Sequence, residues 1–250
     1  MAKRPAAPDM RNSSVRLSRP STWQHYKALL RKDISQEMHT KEMITSMGLY
    51  ALLVLVVYGA ALSQVSTQLD IQQFSGGLLW SAILFTSLLG LNRSFSHEKE
   101  HGCLEGILLV PMDRSVIFLA KATTNLLFLL LVEVVVVPLF FFLFLSSVGA
   151  APSWPLMLLP LLVGTVGIAG VGTLLSTITM NTRGKDVMLA VLFIPLTFPL
   201  LWACVAATTS VMVGSGDFMH TFVTSSLLAA GYDVAMILLS WALYDFIVSS

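Results

Sequence analysis

The stretch ATTNLLFLLLVEVVVVPLFFFLFL, from Ala122 to Leu145, decides the fold of this chain. Glu133 is the one charged residue within it. A helix needs about 20 largely apolar residues to cross a bilayer. Lipid offers no water to unpaired backbone groups, so a segment of this length and composition is predicted to be a transmembrane helix.

The rest of the chain repeats this pattern. It has 250 residues, of which 55% are hydrophobic and only 12% are charged, and its mean hydropathy is +0.77. A soluble domain typically has about twice that charged fraction. The sequence therefore predicts an all-α integral membrane protein with six transmembrane helices. The other five predicted spans are Met43–Ser63, Phe74–Leu91, Trp154–Thr179, Val187–Val213 and Ser225–Ile247.

The positions of the basic residues predict the orientation. Lys and Arg concentrate in the cytoplasmic segments of membrane proteins. With a cytoplasmic N-terminus, six spans place residues 1–42, 92–121, 180–186 and 248–250 inside the cell, and the external loops then have no Lys or Arg. We therefore expect both termini to be cytoplasmic. All 15 basic residues fall on the inner side: Lys3, Arg4, Arg11, Arg16, Arg19, Lys27, Arg31, Lys32, Lys41, Arg93, Lys99, Arg114, Lys121, Arg183 and Lys185.

Two segments precede the first span. Residues 1–22 are rich in basic residues, Pro and Ser, which predicts a disordered basic arm, although their composition also suits an organellar transit peptide. Residues 23–42 predict an amphipathic helix on the cytoplasmic surface of the membrane. Its alternative is a solvated helical linker. The apolar stripe of this helix consists of Trp23, Tyr26, Leu30, Ile34 and Met38.

The cytoplasmic loop 92–114 is long, charged at its start, apolar at its end and followed by a proline stop. If Leu104 and Leu108 share one face of a short helix, that face can fit a groove on a partner protein. Acidic residues at its rim can then meet basic groups of the partner. The alternative is an ordinary connecting loop that touches the bilayer. The residues predicted to take part in coupling are Glu98, Glu100, Gly102, Leu104, Glu105, Leu108 and Pro111.

The pattern E-x-E-x-G-x-x-E from Glu98 to Glu105, followed by an apolar run and Pro111, resembles the coupling loop of type 2 ABC transporter permeases. That resemblance makes residues 23–42 an elbow helix and 43–250 a six-helix permease domain. More narrowly, the chain from about residue 23 to 247 resembles the CcmB family of cytochrome c maturation, and the basic arm departs from that family's pattern. Four segments carry this resemblance: Leu88–Phe95, Gly102–Pro111, Phe118–Lys121 and Phe193–Leu201.

The resemblance implies a permease subunit in the bacterial inner membrane with no enzymatic activity of its own. The implied partners are a separate CcmA-like ATP-binding subunit, a CcmC-like membrane protein and a CcmE-like heme chaperone, and the chain is expected to pair with a second copy. Heme is the implied cargo and ATP binds the partner subunit. No nucleic acid partner is expected. Two alternatives stay open, namely a type 2 permease for a lipid, drug or glycan, and a non-transporting scaffold.

The sequence lacks G-x-x-x-x-G-K-[ST], the loop that cradles nucleotide phosphates. Its glycine-rich stretch lies in an apolar span, where small residues let helices approach closely. Gly164 and Gly170 are therefore predicted to be packing positions. A gating role is the alternative.

Two acidic residues within spans are candidates for an intramembrane polar site. Glu133 near the middle of its span should face the bundle interior, because a charge there costs about 3 kcal/mol. Asp233 allows the same interpretation, and for both the alternative is a structural hydrogen bond. His220, in an external loop, is a weak candidate for a heme ligand. We predict no metal site and no catalytic residues.

Overall fold

The computed structural model describes residues 22–63, 71–100, 114–145, 154–179, 182, 184–214 and 216–249. Within these ranges the chain folds into seven helices and contains no strand. They are α1 Thr22–Thr40, α2 Glu42–Ser63, α3 Ile71–Glu100, α4 Arg114–Phe144, α5 Trp154–Thr179, α6 Lys185–Val213 and α7 Phe218–Ser249.

Six of these helices, α2 to α7, are long and apolar enough to cross a membrane. The protein is therefore a multi-pass membrane protein, which confirms the predicted fold class and number of spans. Contacts show that α3 runs antiparallel to both α2 and α6. Gly90, late in α3, packs against Met43 and Met47 at the start of α2, whereas Gly76, early in α3, packs against Thr209 late in α6.

Helix α5 lies at the centre of the bundle and α2 at its edge. In the most apolar window of α5, 72% of the residues are buried, against 28% for α2. The small residues of α5 explain this position, since they let α3, α6 and α7 approach its backbone. The largest side chain in the interior belongs to Trp80 of α3, which is 1% exposed.

Helix α1 turns into α2 at a single residue, Lys41, whose backbone has a left-handed φ of 51°. The amide of Lys41 still donates to the Glu37 carbonyl at 2.7 Å. The Glu37 carboxylate then accepts the amide of Ile44 at 2.9 Å, which satisfies one of the free amides at the start of α2. Glu37 thereby joins the two helices across the turn.

Three of the spanning helices extend well beyond their predicted apolar spans. Helix α3 continues to Glu100, α4 already begins at Arg114 and α7 begins at Phe218 instead of Ser225. The predicted loop 92–114 is therefore wrong over residues 92–100, which are helical. Hydropathy locates only the part of a helix that lies in hydrocarbon. Glu and Lys, which follow that part in α3, are themselves good helix formers.

Candidate functional site

The end of the bundle at which α1 packs, called here the α1 end, contains a buried ion pair. Asp33 of α1 and Lys121 of α4 lie 2.8 Å apart, Oδ2 to Nζ, and both side chains are 8% exposed. Lys32 lies farther away, 3.7 Å from Oδ1 of Asp33. A buried pair of opposite charges stabilises a structure only when the charged atoms are within hydrogen-bond distance of each other, as they are in Asp33 and Lys121.

Apolar and hydroxyl contacts accompany this ion pair. Leu29, one helical turn before Asp33, packs with Ile117, Phe118 and Leu174. The Tyr26 hydroxyl donates to Oγ1 of Thr123 at 3.1 Å. Helix α1 is therefore attached to α4 along two turns.

Apart from Tyr26, the predicted apolar stripe of α1 does not form this attachment. Trp23 and Met38 are 61% and 59% exposed, and Leu30 and Ile34 are half-buried. The buried face instead contains Leu29, Asp33 and Glu37 at intervals of four residues. Sequence reasoning missed this face because it treated the charged residues of α1 as solvated. The i, i+4, i+8 spacing was the available signal.

A second ion pair at the α1 end joins α2 to α3. Nη1 of Arg93 lies 2.6 Å from Oε1 of Glu42, and the two side chains are 40% and 67% exposed. Thus α3, near its end, and α4, near its start, are each tied to the N-terminal helices. These two helices flank the predicted coupling segment.

The predicted coupling residues lie largely beyond what the structure describes. Glu98 and Glu100 belong to the helical backbone of α3, but their side chains are outside the described set. The other five, Gly102, Leu104, Glu105, Leu108 and Pro111, fall in the undescribed range 101–113. Their role stays a prediction.

The middle of the bundle contains a second polar region, around α5. Glu133 of α4 is 7% exposed and faces the interior, as its place in an apolar run predicts. Both of its carboxyl oxygens lie within hydrogen-bond distance of Oγ1 of Thr165, at 2.7 and 2.9 Å. The same hydroxyl also lies 2.7 Å from the carbonyl of Leu161.

Asp233 of α7 approaches the opposite side of α5. It is 6% exposed, and a methyl group added at Gly167 would lie 2.0 Å from its Oδ1. Thr165 and Gly167 are two residues apart on α5, which corresponds to about 200° of rotation and about 3 Å of rise. The two intramembrane carboxyl groups therefore lie at nearly the same depth, with α5 between them.

Next to Asp233, the Tyr232 hydroxyl donates to the backbone carbonyl of Leu196 in α6. We call Glu133, Thr165, Gly167, Tyr232 and Asp233 the central polar layer. It links α4, α5, α6 and α7 at the middle of the bundle. Sequence reasoning found its two carboxyl groups but not their partners.

The two predicted packing glycines differ in their surroundings. A methyl group at Gly164 would lie 2.1 Å from the Trp80 ring and 2.9 Å from Sγ of Cys204, so only glycine fits there. At Gly170 the nearest atom is Cγ1 of Ile237 at 3.6 Å, an ordinary contact. Trp80 is further held by its indole N–H, which donates to Thr208 at 3.0 Å.

A lateral groove of about 460 Å³ opens between α3 and α6. Its walls include Trp80, Leu84, Phe198 and Trp202. Phe198 and Trp202 are 59% and 70% exposed. In a bilayer this aromatic surface meets lipid chains or another membrane protein, because water cannot cover it there.

Comparison with known proteins assigns the family. The family model described as CcmB protein matches residues 24–247, a range that includes α1 and all six spans. The chain belongs to the CcmB family. This match confirms the resemblance carried by the four sequence segments, and the basic arm lies before its start.

Three relatives of this CcmB-family chain are called heme exporter protein B. The one from Pseudomonas aeruginosa is 30% identical over 159 residues, which is 64% of this chain and 70% of the relative. The one from Paracoccus denitrificans is 28% identical, over 52% of this chain and 59% of the relative. The one from Bradyrhizobium diazoefficiens is 30% identical, over 58% and 64%. The matched part thus covers less than two thirds of the latter two proteins.

Ligand-binding residues in this CcmB-family chain remain predictions. His220 is exposed in the first turn of α7, where its amide donates to the Asp217 carbonyl at 3.2 Å. Among the described residues, no group of three or more His, Cys, Asp or Glu side chains is placed to hold a metal ion.

Proposed function

We propose that this chain is the membrane permease subunit of an ABC-type heme exporter in the bacterial inner membrane. The observation that carries the proposal is the family match, because it extends over all six spans and the relatives it groups with are named heme exporter protein B. The chain would form either the path that heme takes across the membrane or the membrane part that moves during the ATPase cycle. A separate CcmA-like subunit contributes ATP hydrolysis.

The distribution of charge supports an orientation with the α1 end in the cytoplasm. The basic side chains that the structure describes belong to helix ends on this side of the bundle, namely Lys27, Arg31, Lys32, Lys41, Arg93, Lys121 and Lys185. The positive-inside rule then puts both termini on the cytoplasmic side. The ATP-binding subunit would approach the α1 end, where cytoplasmic ATP is available.

The two ion pairs at the α1 end support a coupling role for segment 101–113. Movement of this segment would reach α1 through Lys121 and Asp33, and α2 through Arg93 and Glu42. A partner that displaces the segment would therefore move four helices together. This movement would drive heme delivery, or release of the loaded heme chaperone, on the outer side of the membrane.

Further subunits complete the proposed complex. Six spans are half of the usual ABC permease core, so two copies of this chain are expected, with two ATP-binding subunits. A CcmC-like membrane protein and a CcmE-like chaperone would receive and carry the heme.

Purification from the native cell in mild detergent tests the assignment. Mass spectrometry of the copurified proteins and a pyridine hemochrome assay are made on one sample. Recovery of the ATP-binding subunit with the CcmC-like and CcmE-like proteins is the expected result. An ATP-binding subunit without them would indicate a permease for another cargo, and no ATP-binding subunit would indicate a scaffold.

Substitution in the coupling segment tests the docking step. Leu104→Arg combined with Glu105→Arg should abolish copurification of the ATP-binding subunit, because it adds charge to the apolar face and reverses the charge at its rim. Membrane insertion should be unchanged. Ser35→Arg, which adds charge at an exposed position of α1, is the matched control and should retain the partner. Full retention by the double variant would refute the coupling assignment.

A further inference from the structure

A small cavity lies beside Glu133, between α3 and α4. Four of its lining side chains are apolar, and the other two are the hydroxyl of Thr86 and the carboxyl of Glu133. The space is about 10 Å³, which corresponds to the room one water molecule needs. Its lining consists of Ile83, Thr86, Leu129, Val132, Glu133 and Val136.

Thr86 differs from the other buried threonines of the spans. Thr124, Thr173, Thr177 and Thr197 each donate to the carbonyl four residues earlier in their own helix. This bond is the usual way for a threonine to satisfy its hydroxyl within a helix. Thr86 is 4% exposed, and its Oγ1 has no hydrogen-bond partner among the described residues.

The hydrogen-bonding capacity of Glu133 is only partly used. Thr165 has a single hydroxyl proton, and this proton is shared among three acceptors, the two Glu133 oxygens and the Leu161 carbonyl. A carboxyl group offers about four acceptor positions, or a donor and the remaining acceptors when protonated. Among the described residues, Thr165 is the side chain that bonds Glu133. The remaining hydrogen-bonding positions of Glu133 are available to the cavity, which Thr86 also lines.

We propose that this cavity is a binding site for one water molecule that bridges Thr86 and Glu133. Buried polar groups are hydrogen-bonded in native proteins, and ordered water is the usual partner where protein groups do not meet. A water molecule can both donate and accept, so it satisfies Thr86 whether its hydroxyl donates or accepts, and Glu133 in either protonation state. It joins α3 to the pair α4 and α5 at the middle of the bundle.

A water bridge makes this junction different from a direct contact. The helices can move relative to each other by fractions of an ångström while the water keeps bonds to both sides. Thr86 and Glu133 are then energetically coupled although they share no direct hydrogen bond. That coupling is the property to measure.

Direct observation is the first test. A high-resolution cryo-EM map of the protein in lipid nanodiscs should contain a density peak within about 2.7–3.2 Å of Oγ1 of Thr86 and of one Glu133 oxygen. A resolved cavity without such a peak would overturn the proposal.

A double-variant cycle is the second test, read as the midpoint of thermal unfolding. Thr86→Val should lower the midpoint in the wild-type background, because it removes one end of the bridge. In the Glu133→Leu background the same change should cause no loss, since the bridge is already absent. Thr86→Ser, which keeps a hydroxyl, should behave like the wild type.

Ser176→Ala is the matched control. Its Oγ is also buried without a partner among the described residues, but Ser176 does not line the cavity. It should have the same effect in both backgrounds. Equal losses for Thr86→Val in the two backgrounds would refute the bridge, and if Glu133→Leu does not fold, the density test decides alone.

A salt comparison distinguishes water from a small cation. At constant ionic strength, the unfolding midpoint should be the same in sodium chloride and in choline chloride. A sodium-specific rise that Thr86→Val abolishes would assign the cavity to a cation and overturn the water site.

Discussion

The α1 end and the middle of the bundle both bury acidic residues, and they do so with different partners. Asp33 at the α1 end meets the ammonium of Lys121 at 2.8 Å, whereas Glu133 in the middle meets the hydroxyl of Thr165. The ammonium of Lys121 is as buried as the carboxylate of Asp33, so each charge is compensated by its close partner and not by water. At the centre of the bilayer a lysine would cost about 3 kcal/mol.

The difference shows how depth selects the partner of a carboxyl group. A charged donor is used for the buried carboxylate at the α1 end, and an uncharged donor is used in the middle of the bundle. The α1 end should therefore respond strongly to loss of a charge, and the middle to changes of shape.

The largest effect is expected at the buried ion pair. Lys121→Met should lower the free energy of unfolding by about 3 kcal/mol, because among the described residues Asp33 then has the more distant Lys32 as its basic partner. The fall is measured as a shift of the unfolding transition in detergent. The double variant Asp33→Asn, Lys121→Met should recover part of the loss, since neither position then has an unpaired buried charge. Unchanged stability of Lys121→Met would remove the contrast between the two regions.

A loss of about 1–3 kcal/mol is expected for Gly167→Ala in the middle of the bundle. The added methyl group would lie 2.0 Å from Asp233 and 2.5 Å from the fully buried Leu200, so both must shift. Gly170→Ala is the matched control on the same helix, because its methyl group would make only the 3.6 Å contact with Ile237. Equal stabilities of the two variants would show that α5 is not tightly packed at Gly167.

A smaller loss, about 0.6 kcal/mol, is expected for Thr208→Val, which removes the acceptor of the Trp80 indole. The neighbouring Thr209→Val is the control. Its hydroxyl has no partner among the described residues, and Thr209 lines the lateral groove, so its removal should cost less than the loss of the Trp80 bond. Unfolding transitions of the two variants, measured side by side, give the difference. The prediction fails if Thr209→Val is the more damaging change.

The smallest effect is expected at the exposed ion pair. Arg93→Met should lower the free energy of unfolding by no more than about 0.5 kcal/mol, because Arg93 and Glu42 are 40% and 67% exposed and water screens them. High salt should reduce even that loss. A decrease as large as that of Lys121→Met would mean that burial does not explain the contrast.

Sequence patterns predicted the spans because length and hydropathy are local properties. They also indicated Glu133, since one carboxyl group in a long apolar run has to face the interior. Helices α3, α4 and α7 were predicted too short, because their polar residues continue the helix beyond the hydrocarbon of the membrane. In these polar extensions the hydropathy pattern gives no signal, and helix propensity alone is too weak to locate the last helical residue.

The partners of the predicted residues could not be found in this way. Asp33 and Lys121 are far apart in sequence, and the polar face of α1 looks like any solvated face until α4 packs on it. Likewise, nothing local distinguishes Gly167, which receives Asp233, from Gly170, which does not. Such pairings depend on how helices rotate about their axes, and the sequence of one helix does not determine that rotation.

The attachment of α1 also sets an order of events during synthesis. Tyr26 and Thr123, which join α1 to α4, are 97 positions apart in the chain. At a translation rate of about 5–20 residues per second, α1 leaves the ribosome roughly 5–20 s before its binding surface exists. During that interval the face of α1 that contains Leu29 and Asp33 cannot yet pack on α4, and the apolar stripe of α1 can lie on the membrane. The first helix to be made therefore reaches its final place only when the third span arrives.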